Sequence, residues 1–444
     1  MTRLLSVLFW AVIAAAFIGP GTVTTAATAG AGFGTALLWA LAFSTFACLV
    51  LQEAAGRLRL VSGRSLGGAL RERFPAGVSR WAMLILVLGA VLLGNAAYEA
   101  GNILGGVAGA SLVVGWPTWL LTLLASGLAG ALLWSNAPRR VAQVLGVAVA
   151  VMGVAFLVMA IGLRPDPSEI VRGLLVPSLP SGAGLLVLGL VGTTVVPYNL
   201  FLGSGLAHDQ SLPVFRFGLA VAVILGGIIS MGILVVGTRV EPPMSFEGLA
   251  AALGSGLGEW AVVLLAVGLA CAGLSSAITA PLAAALTAKS LFADGPADPV
   301  WSPRGGRYRA VWGSILLIGT ASGLSGVRPV PAIILAQALN GVVLPAIAIY
   351  LLLAVNDRGL MGRDGLNGRL SNASMVLVTL VALVLGVAAL ARAAATVTGS
   401  EAPSMRAILL AAGLLVALAA VPVARSIHRR RRDRGDPRRD RSTQ

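Results

Sequence analysis

The 444-residue chain has few of the residues from which disulfide frameworks and metal clusters are built. It contains two cysteines, Cys48 and Cys271, and two histidines, His208 and His428, all far apart in the sequence. This scarcity excludes a disulfide scaffold and a thiolate or imidazole metal site. Charged residues make up 11%, against about a quarter in soluble domains. A soluble enzyme and a disordered chain are therefore excluded, and the lack of a phosphate-binding loop argues against a nucleotide-driven pump.

Apolar residues are abundant instead: hydrophobic residues make up 57% of the chain, and there are 56 glycines. This composition predicts an all-α polytopic membrane protein, because about 20 apolar residues are needed to cross a bilayer as a helix. Twelve apolar runs meet this requirement and predict about twelve transmembrane helices. They lie at 4–29, 35–55, 81–110, 116–135, 140–163, 182–207, 214–237, 257–290, 309–326, 329–354, 373–396 and 405–424.

The net charge of +15 is concentrated in alternate loops and in the tail, where residues 425–444 hold nine arginines and three aspartates. Every even-numbered run ends on the arginine-rich side, which predicts a multi-pass protein of the plasma or inner membrane with both termini in the cytoplasm. We expect the tail to contact anionic lipid headgroups. No nucleic-acid partner is expected, because no folded nucleic-acid-binding module accompanies the basic residues.

The first run also allows a rival interpretation, a cleavable signal sequence that ends near Ala16. Cleavage there would leave eleven spans and place the new N-terminus outside the cell. The apolar run continues well past Ala16 and the remaining loops alternate without cleavage, so retention is favoured.

Two of the runs are interrupted at their centres. The first contains Gly19-Pro20-Gly21 and the sixth contains Pro197. Proline removes a backbone donor and glycine permits non-helical dihedrals, so both runs are predicted to be broken helices. Breaks five spans apart are expected of two inverted five-helix repeats with a substrate site between them. We therefore predict a first repeat at 1–163, a second at 182–355, two additional spans within 373–424 and the basic tail at 425–444.

Five sequence segments resemble the Nramp family of divalent metal transporters. GPGT in the first run and TTVVPYNLFLGS in the sixth are similar to the family's DPGN and MPHNLFLHS motifs. LQEAAGRLRLVSGRSLGGALRERFP resembles the family's loop after helix two, and GLSSAITAPLA and ILAQALNG are weaker matches. The resemblance covers about residues 8–355. It implies a leucine-transporter-type fold with a 5+5 inverted repeat, broken helices one and six, and transport of divalent metal ions.

The resemblance also implies a metal site, but several of the family's side chains are replaced here. The family's helix-one aspartate falls on Gly19, and its helix-six methionine falls on Val196. The two helix-six histidines fall on Tyr198 and Gly203. Both the carboxylate and the thioether are therefore missing, which argues against simple transfer of manganese or iron chemistry.

The positions that remain offer oxygen ligands, which suit hard cations such as magnesium. The family's helix-one asparagine falls on Thr22 and its carbonyl ligand on Thr193, while Asn199 is kept. Gln337 and Gln52 match polar positions near the family's pathway. We predict metal contacts from Thr22, Thr193 and Gln337. The full predicted set is Gly19, Thr22, Thr193, Val196, Asn199 and Gln337 for substrate binding, with Gln52, Glu99 and Tyr198 along the pathway.

Glu99 is the one acid well inside a predicted span, and an acid at that depth is a functional candidate. A structural hydrogen bond to a neighbouring broken helix is an equally good explanation of it. For Glu53, near the end of the second span, an i,i+4 ion pair with Arg57 is favoured. The family's proton relay uses several acids and histidines, so a single acid argues against proton coupling.

The sequence therefore predicts a secondary transporter, not an enzyme, that moves magnesium or manganese by alternating access without proton coupling. The metal would be cargo, and no resident cofactor is expected. Because the family's carboxylate and thioether are missing, a same-fold transporter of a small non-metal solute remains the alternative. A membrane sensor is disfavoured by the broken helices, which a sensor does not need.

Overall fold

The protein is described by a computed structural model. It describes residues 18–74, 77–135, 138–206, 211–293, 295, 298–362, 364–398, 404, 407–417, 425 and 427. Within these ranges the chain forms α-helices joined by short connections, and no strand occurs there. Residues 1–17 and His208 lie outside the described residues. So does the predicted lipid-binding tail, including His428, except for Arg425 and Ile427.

Seventeen helices follow one another in the described residues. They are α1 (Pro20–Phe33), α2 (Leu38–Ser62), α3 (Leu66–Arg73), α4 (Gly77–Ser111), α5 (Thr118–Trp134), α6 (Pro138–Gly162), α7 (Pro167–Leu175), α8 (Gly184–Thr194), α9 (Pro197–Leu206), α10 (Leu212–Gly237), α11 (Phe246–Leu257), α12 (Trp260–Phe292), α13 (Gly306–Leu324), α14 (Pro329–Ala354), α15 (Arg358–Met361), α16 (Arg369–Thr398) and α17 (Ala407–Ala417).

Each of the twelve predicted spans overlaps at least one of these helices. Among the described residues, seven helices are long and apolar enough to cross a membrane, and α5 and α17 are shorter apolar helices. The prediction of an all-α polytopic membrane protein is confirmed. The repeat boundaries at 163 and 182 stay a prediction.

Non-helical residues lie where glycine and proline predicted the interruptions. Helix α1 begins at Pro20, after Gly19 in an extended conformation with φ −89° and ψ 173°. In the sixth span, α8 ends at Thr194, Val195 and Val196 are non-helical, and α9 begins at Pro197. Proline suits the first position of a helix, where its missing N–H would have no intrahelical partner.

The broken helices lie in the middle of the bundle. Helix α1 contacts α4, α8, α10 and α14, and α8 packs along α14. The longest helix pair, α4 and α12, approaches closely at Gly106 and Gly273. A Cβ on Gly273 would overlap the backbone of α4, and one on Gly106 would lie only 3.2 Å from the Gly273 Cα. Small residues at such contacts are the usual means of packing helices in a membrane. The core therefore holds the ends of α1, α8 and α9 together at mid-bundle.

Candidate functional site

The two broken helices are joined by a hydrogen bond between threonine side chains. Thr22 Oγ1 of α1 lies 3.0 Å from Thr193 Oγ1 of α8, and both residues are buried. Thr22 is in the first turn of α1 and Thr193 in the last turn of α8, where backbone groups lack intrahelical partners. Two of the three predicted metal contacts are therefore adjacent.

The third, Gln337 of α14, lies against the same helix ends. Its side chain contacts the backbone of α1 at Gly21, where a Cβ would overlap the amide group. The backbone carbonyl of Gln337 lies similarly close to Gly192 of α8, where a Cβ would overlap this oxygen. Gln337 is fully buried, and neither its Oε1 nor its Nε2 has a hydrogen-bond partner among the described residues. Leaving such an amide unpaired costs about 1–3 kcal/mol, so this side chain is suited to meeting a ligand.

Hydroxyl groups face Gly19, the position where the resemblance placed the family's aspartate. A Cβ at Gly19 would lie 3.5 Å from Ser276 Oγ of α12 and 3.7 Å from Tyr98 Oη of α4. These are ordinary contact distances, so a Cβ atom fits at this position. In the present chain the space beside Gly19 is bordered by two neutral hydroxyls.

Val196, at the family's methionine position, belongs to a buried cluster with Tyr98, Tyr198, Ala280 and Ala283. The rings of Tyr98 and Tyr198 meet edge to face, with centroids 5.4 Å apart and planes at 74°. An apolar, aromatic surface therefore borders the non-helical residues between α8 and α9.

Tyr98 was not identified from the sequence. It lies on one face of α4 with Gly94, Gly101 and Gly105, and that face contacts Asn340, Ile333 and Pro20. The i, i+7 and i+11 spacing of these glycines, with Tyr98 at i+4, is the signal that could have found it.

Asn199 and Gln52 are less closely tied to this group. Asn199 is half-buried in the first turn of α9, and its backbone N–H donates to the carbonyl of Val196. Gln52 Nε2 of α2 lies 3.7 Å from Cys48 Sγ, one turn earlier in the same helix. The backbone of Gly203 lies inside α9.

Glu99 is fully buried on α4, where Oε2 accepts a hydrogen bond of 3.3 Å from Asn102 Nδ2. Its Oε1 has no hydrogen-bond partner among the described residues. The Cγ methylene of Glu99 packs against Gly319 of α13. Its hydrogen bond is thus formed within its own helix, by the i,i+3 spacing, and not with a broken helix as one interpretation expected.

Glu53 and Arg57 form the expected i,i+4 ion pair at 3.0 Å. Glu53 also accepts from Arg216 of α10 at 2.7 Å. The guanidinium of Arg57 further donates to the Gly365 carbonyl and to Asn367 Oδ1. Glu53 therefore belongs to a network of ion pairs and hydrogen bonds at the end of α2.

The described residues contain no group of three or more His, Cys, Asp or Glu able to hold a metal ion. A cation at this site would have to be held by hydroxyl, amide and carbonyl oxygens.

Comparison with known proteins places these observations in a family. The sequence model described as "Natural resistance-associated macrophage protein-like" (Nramp) matches residues 10–392. "Metal transporter Nramp3" of Oryza sativa subsp. japonica is 29% identical over 294 residues, 60% of this chain and 52% of that protein. The aligned part thus spans about half the length of that relative. "Divalent metal cation transporter MntH" of Bacillus subtilis (strain 168) is 26% identical over 374 residues, 79% of this chain and 84% of that protein.

Solved structures show the same fold. The Eremococcus coleocola manganese transporter superposes with a TM-score of 0.65 at 21% identity, covering 95% of this chain and 94% of that one. Mhp1, a nucleobase-cation-symport-1 family transporter, has a TM-score of 0.56 at 16% identity, covering 95% and 92%. The family match extends over most of the chain, and the broken helices, the fold and the motif order agree with it. The chain belongs to the Nramp family.

Proposed function

We propose that this protein carries magnesium or manganese across the plasma or inner membrane by alternating access, with both termini in the cytoplasm. The observation that carries the proposal is the convergence of Thr22, Thr193 and the unpaired amide of Gln337 on the two helix breaks. The metal transporters among the relatives support a divalent metal ion as cargo.

Oxygen chemistry favours a hard ion at this site. Hydroxyl and amide oxygens, together with backbone carbonyls at the end of α8, suit a cation that keeps part of its hydration shell. The negative end of the α8 dipole offsets part of the cost of placing a cation there. Without a carboxylate at Gly19 the site is weakly charged, which disfavours ions that must be fully dehydrated.

Proton coupling is not part of the proposal. The resemblance implies a relay of several acids and histidines, whereas Glu99 has its hydrogen bond within α4 and Tyr198 stands at a histidine position. Membrane voltage acts on a divalent cation directly and supplies a driving force without a second ion.

The alternative is transport of a small non-metal solute by the same fold. The buried cluster of Val196, Tyr98 and Tyr198 favours it, because an apolar and aromatic surface binds organic solutes better than ions. Uptake of such a solute, with no uptake of either metal, would replace the leading proposal by this one.

The test compares two threonines of α1 in proteoliposomes loaded with a metal-sensitive dye. Thr22→Val removes the hydroxyl that meets Thr193, and we expect magnesium or manganese uptake to fall about tenfold at low concentration. Thr28→Val is the matched control, because Thr28 Oγ1 donates to the carbonyl of Thr24 in its own helix. Equal uptake kinetics for Thr22→Val and the wild type would remove Thr22 from the site.

A further inference from the structure

A cavity of about 500 Å³ lies away from the transport site, between α5, α12 and the connection that leads into α13. Its lining includes Leu133, Leu282, Ser302, Arg304, Tyr308 and Trp312. Charge placement in the sequence puts these helix ends on the cytoplasmic side. The cavity thus opens where the inner leaflet would meet the protein.

The two ends of this cavity differ in chemistry. Arg304 is exposed at the mouth beside the half-buried Ser302. Leu282 lies ten residues before the last residue of α12, which at 1.5 Å per residue places it about 15 Å deeper along that helix. With Leu133 and Trp312 it forms an apolar interior. A ligand that fits must carry negative charge at one end and hydrocarbon at the other.

The connection that carries Arg304 is held in place by its own contacts. Trp301 is buried and stacks on Phe292, with centroids 5.9 Å apart. The Gly305 N–H donates to the Ser302 carbonyl at 2.8 Å, which closes a tight turn around Arg304. The backbone position of Arg304 at the mouth is therefore fixed before any ligand binds.

Further basic and aromatic groups surround the mouth. The Arg309 guanidinium stands 3.7 Å from the ring centroid of Trp134, and Trp134 meets Trp312 edge to face at 6.4 Å. Trp134 is largely exposed, as expected of a residue at the level of lipid headgroups. With Arg307, three arginines fall within six residues, while Asp298 Oδ1 accepts from the N–H of Val300.

We propose that this cavity binds an anionic phospholipid of the inner leaflet. Its phosphate meets Arg304, and one acyl chain lies against Leu133, Leu282 and Trp312. Basic pockets between membrane helices on the cytoplasmic side recognise acidic headgroups in this way. The site does not depend on which solute is transported.

The test measures lipid binding to the full chain by native mass spectrometry, after exchange into a neutral detergent. We expect phosphatidylglycerol to bind more tightly than phosphatidylcholine, and Arg304→Gln to weaken phosphatidylglycerol binding about fivefold or more. Arg304→Lys should retain most of the affinity. Arg369→Gln, an exposed arginine at the start of α16 on the same predicted side, is the matched control and should bind as the wild type does.

Two outcomes would overturn the headgroup assignment: equal binding of the two lipids, or Arg304→Gln binding as tightly as Arg369→Gln. The apolar part is tested on the wild type, so that no variant needs to fold. Shortening both acyl chains from oleoyl to hexanoyl should weaken binding by more than about tenfold. Inorganic phosphate displacing the lipid at equal concentration would show an anion site without an acyl chain and would overturn the proposal.

Discussion

The middle of the bundle and the C-terminal end of α2 both bury polar side chains, but they satisfy them in opposite ways. At the end of α2, Arg57 is 4% exposed and bonds to Glu53, Gly365 and Asn367. In the middle of the bundle, Gln337 is 0% exposed and neither atom of its amide has a partner among the described residues.

Whether a buried polar group has hydrogen-bond partners distinguishes groups that hold helices together from groups available to a ligand. A paired buried group stabilises the fold it belongs to, whereas an unpaired one costs free energy that binding can recover. Removing the two kinds of group should therefore have opposite consequences for stability.

The largest expected effect is on the stability of the paired region. Arg57→Met should lower the free energy of unfolding by about 3 kcal/mol, because it removes a buried ion pair and the hydrogen bonds to the Gly365 carbonyl and Asn367 Oδ1. The measurement is denaturant unfolding of the purified protein in detergent. Arg59→Met is the control, since Arg59 is only half-buried and donates to Gly63 at its own helix end. Equal losses for the two variants would show that the network at Arg57 adds no stability.

Gln337→Leu should give the opposite pattern. It replaces an unpaired amide by an apolar group of similar size, so stability should stay within about 1 kcal/mol of the wild type or rise. Metal uptake should nevertheless fall strongly, because an oxygen at the helix breaks is lost. Stability and uptake measured on the same preparation check both statements. A large stability loss with full uptake would place Gln337 among the structural groups.

A smaller change is expected from rebuilding the family's ligands. Gly19→Asp with Val196→Met restores a carboxylate and a thioether, and the Gly19 backbone accepts an aspartate because its φ of −89° is an ordinary value. We expect the affinity for manganese to rise about tenfold relative to the affinity for magnesium, because the thioether favours manganese. The attraction between the carboxylate and the ion is partly offset by the cost of desolvating them. Gly19→Asn with Val196→Met is the neutral control. Equal affinities in the two variants would show that the carboxylate does not reach the ion.

The sequence predicted those features that depend on local pattern. Glycine and proline located both helix breaks, apolar length located the spans, and i,i+4 spacing predicted the Glu53–Arg57 pair. Partners from distant helices could not be predicted in this way. Arg216 joins Glu53 from α10, and Asn367 joins Arg57 from the connection before α16. The bond between Thr22 and Thr193 joins residues 171 positions apart. Such contacts depend on how helices pack, which periodicity alone does not determine.

The most direct test of the account asks whether voltage or a proton gradient drives metal uptake. Two charges that cross a 100 mV potential gain about 4.6 kcal/mol, which corresponds to roughly a thousandfold concentration ratio. In proteoliposomes, a potassium diffusion potential, negative inside, should accelerate magnesium or manganese uptake, and a pH gradient at fixed voltage should not change it. Acidification of the lumen in step with metal uptake, abolished by Glu99→Gln, would show a coupled proton and contradict the account.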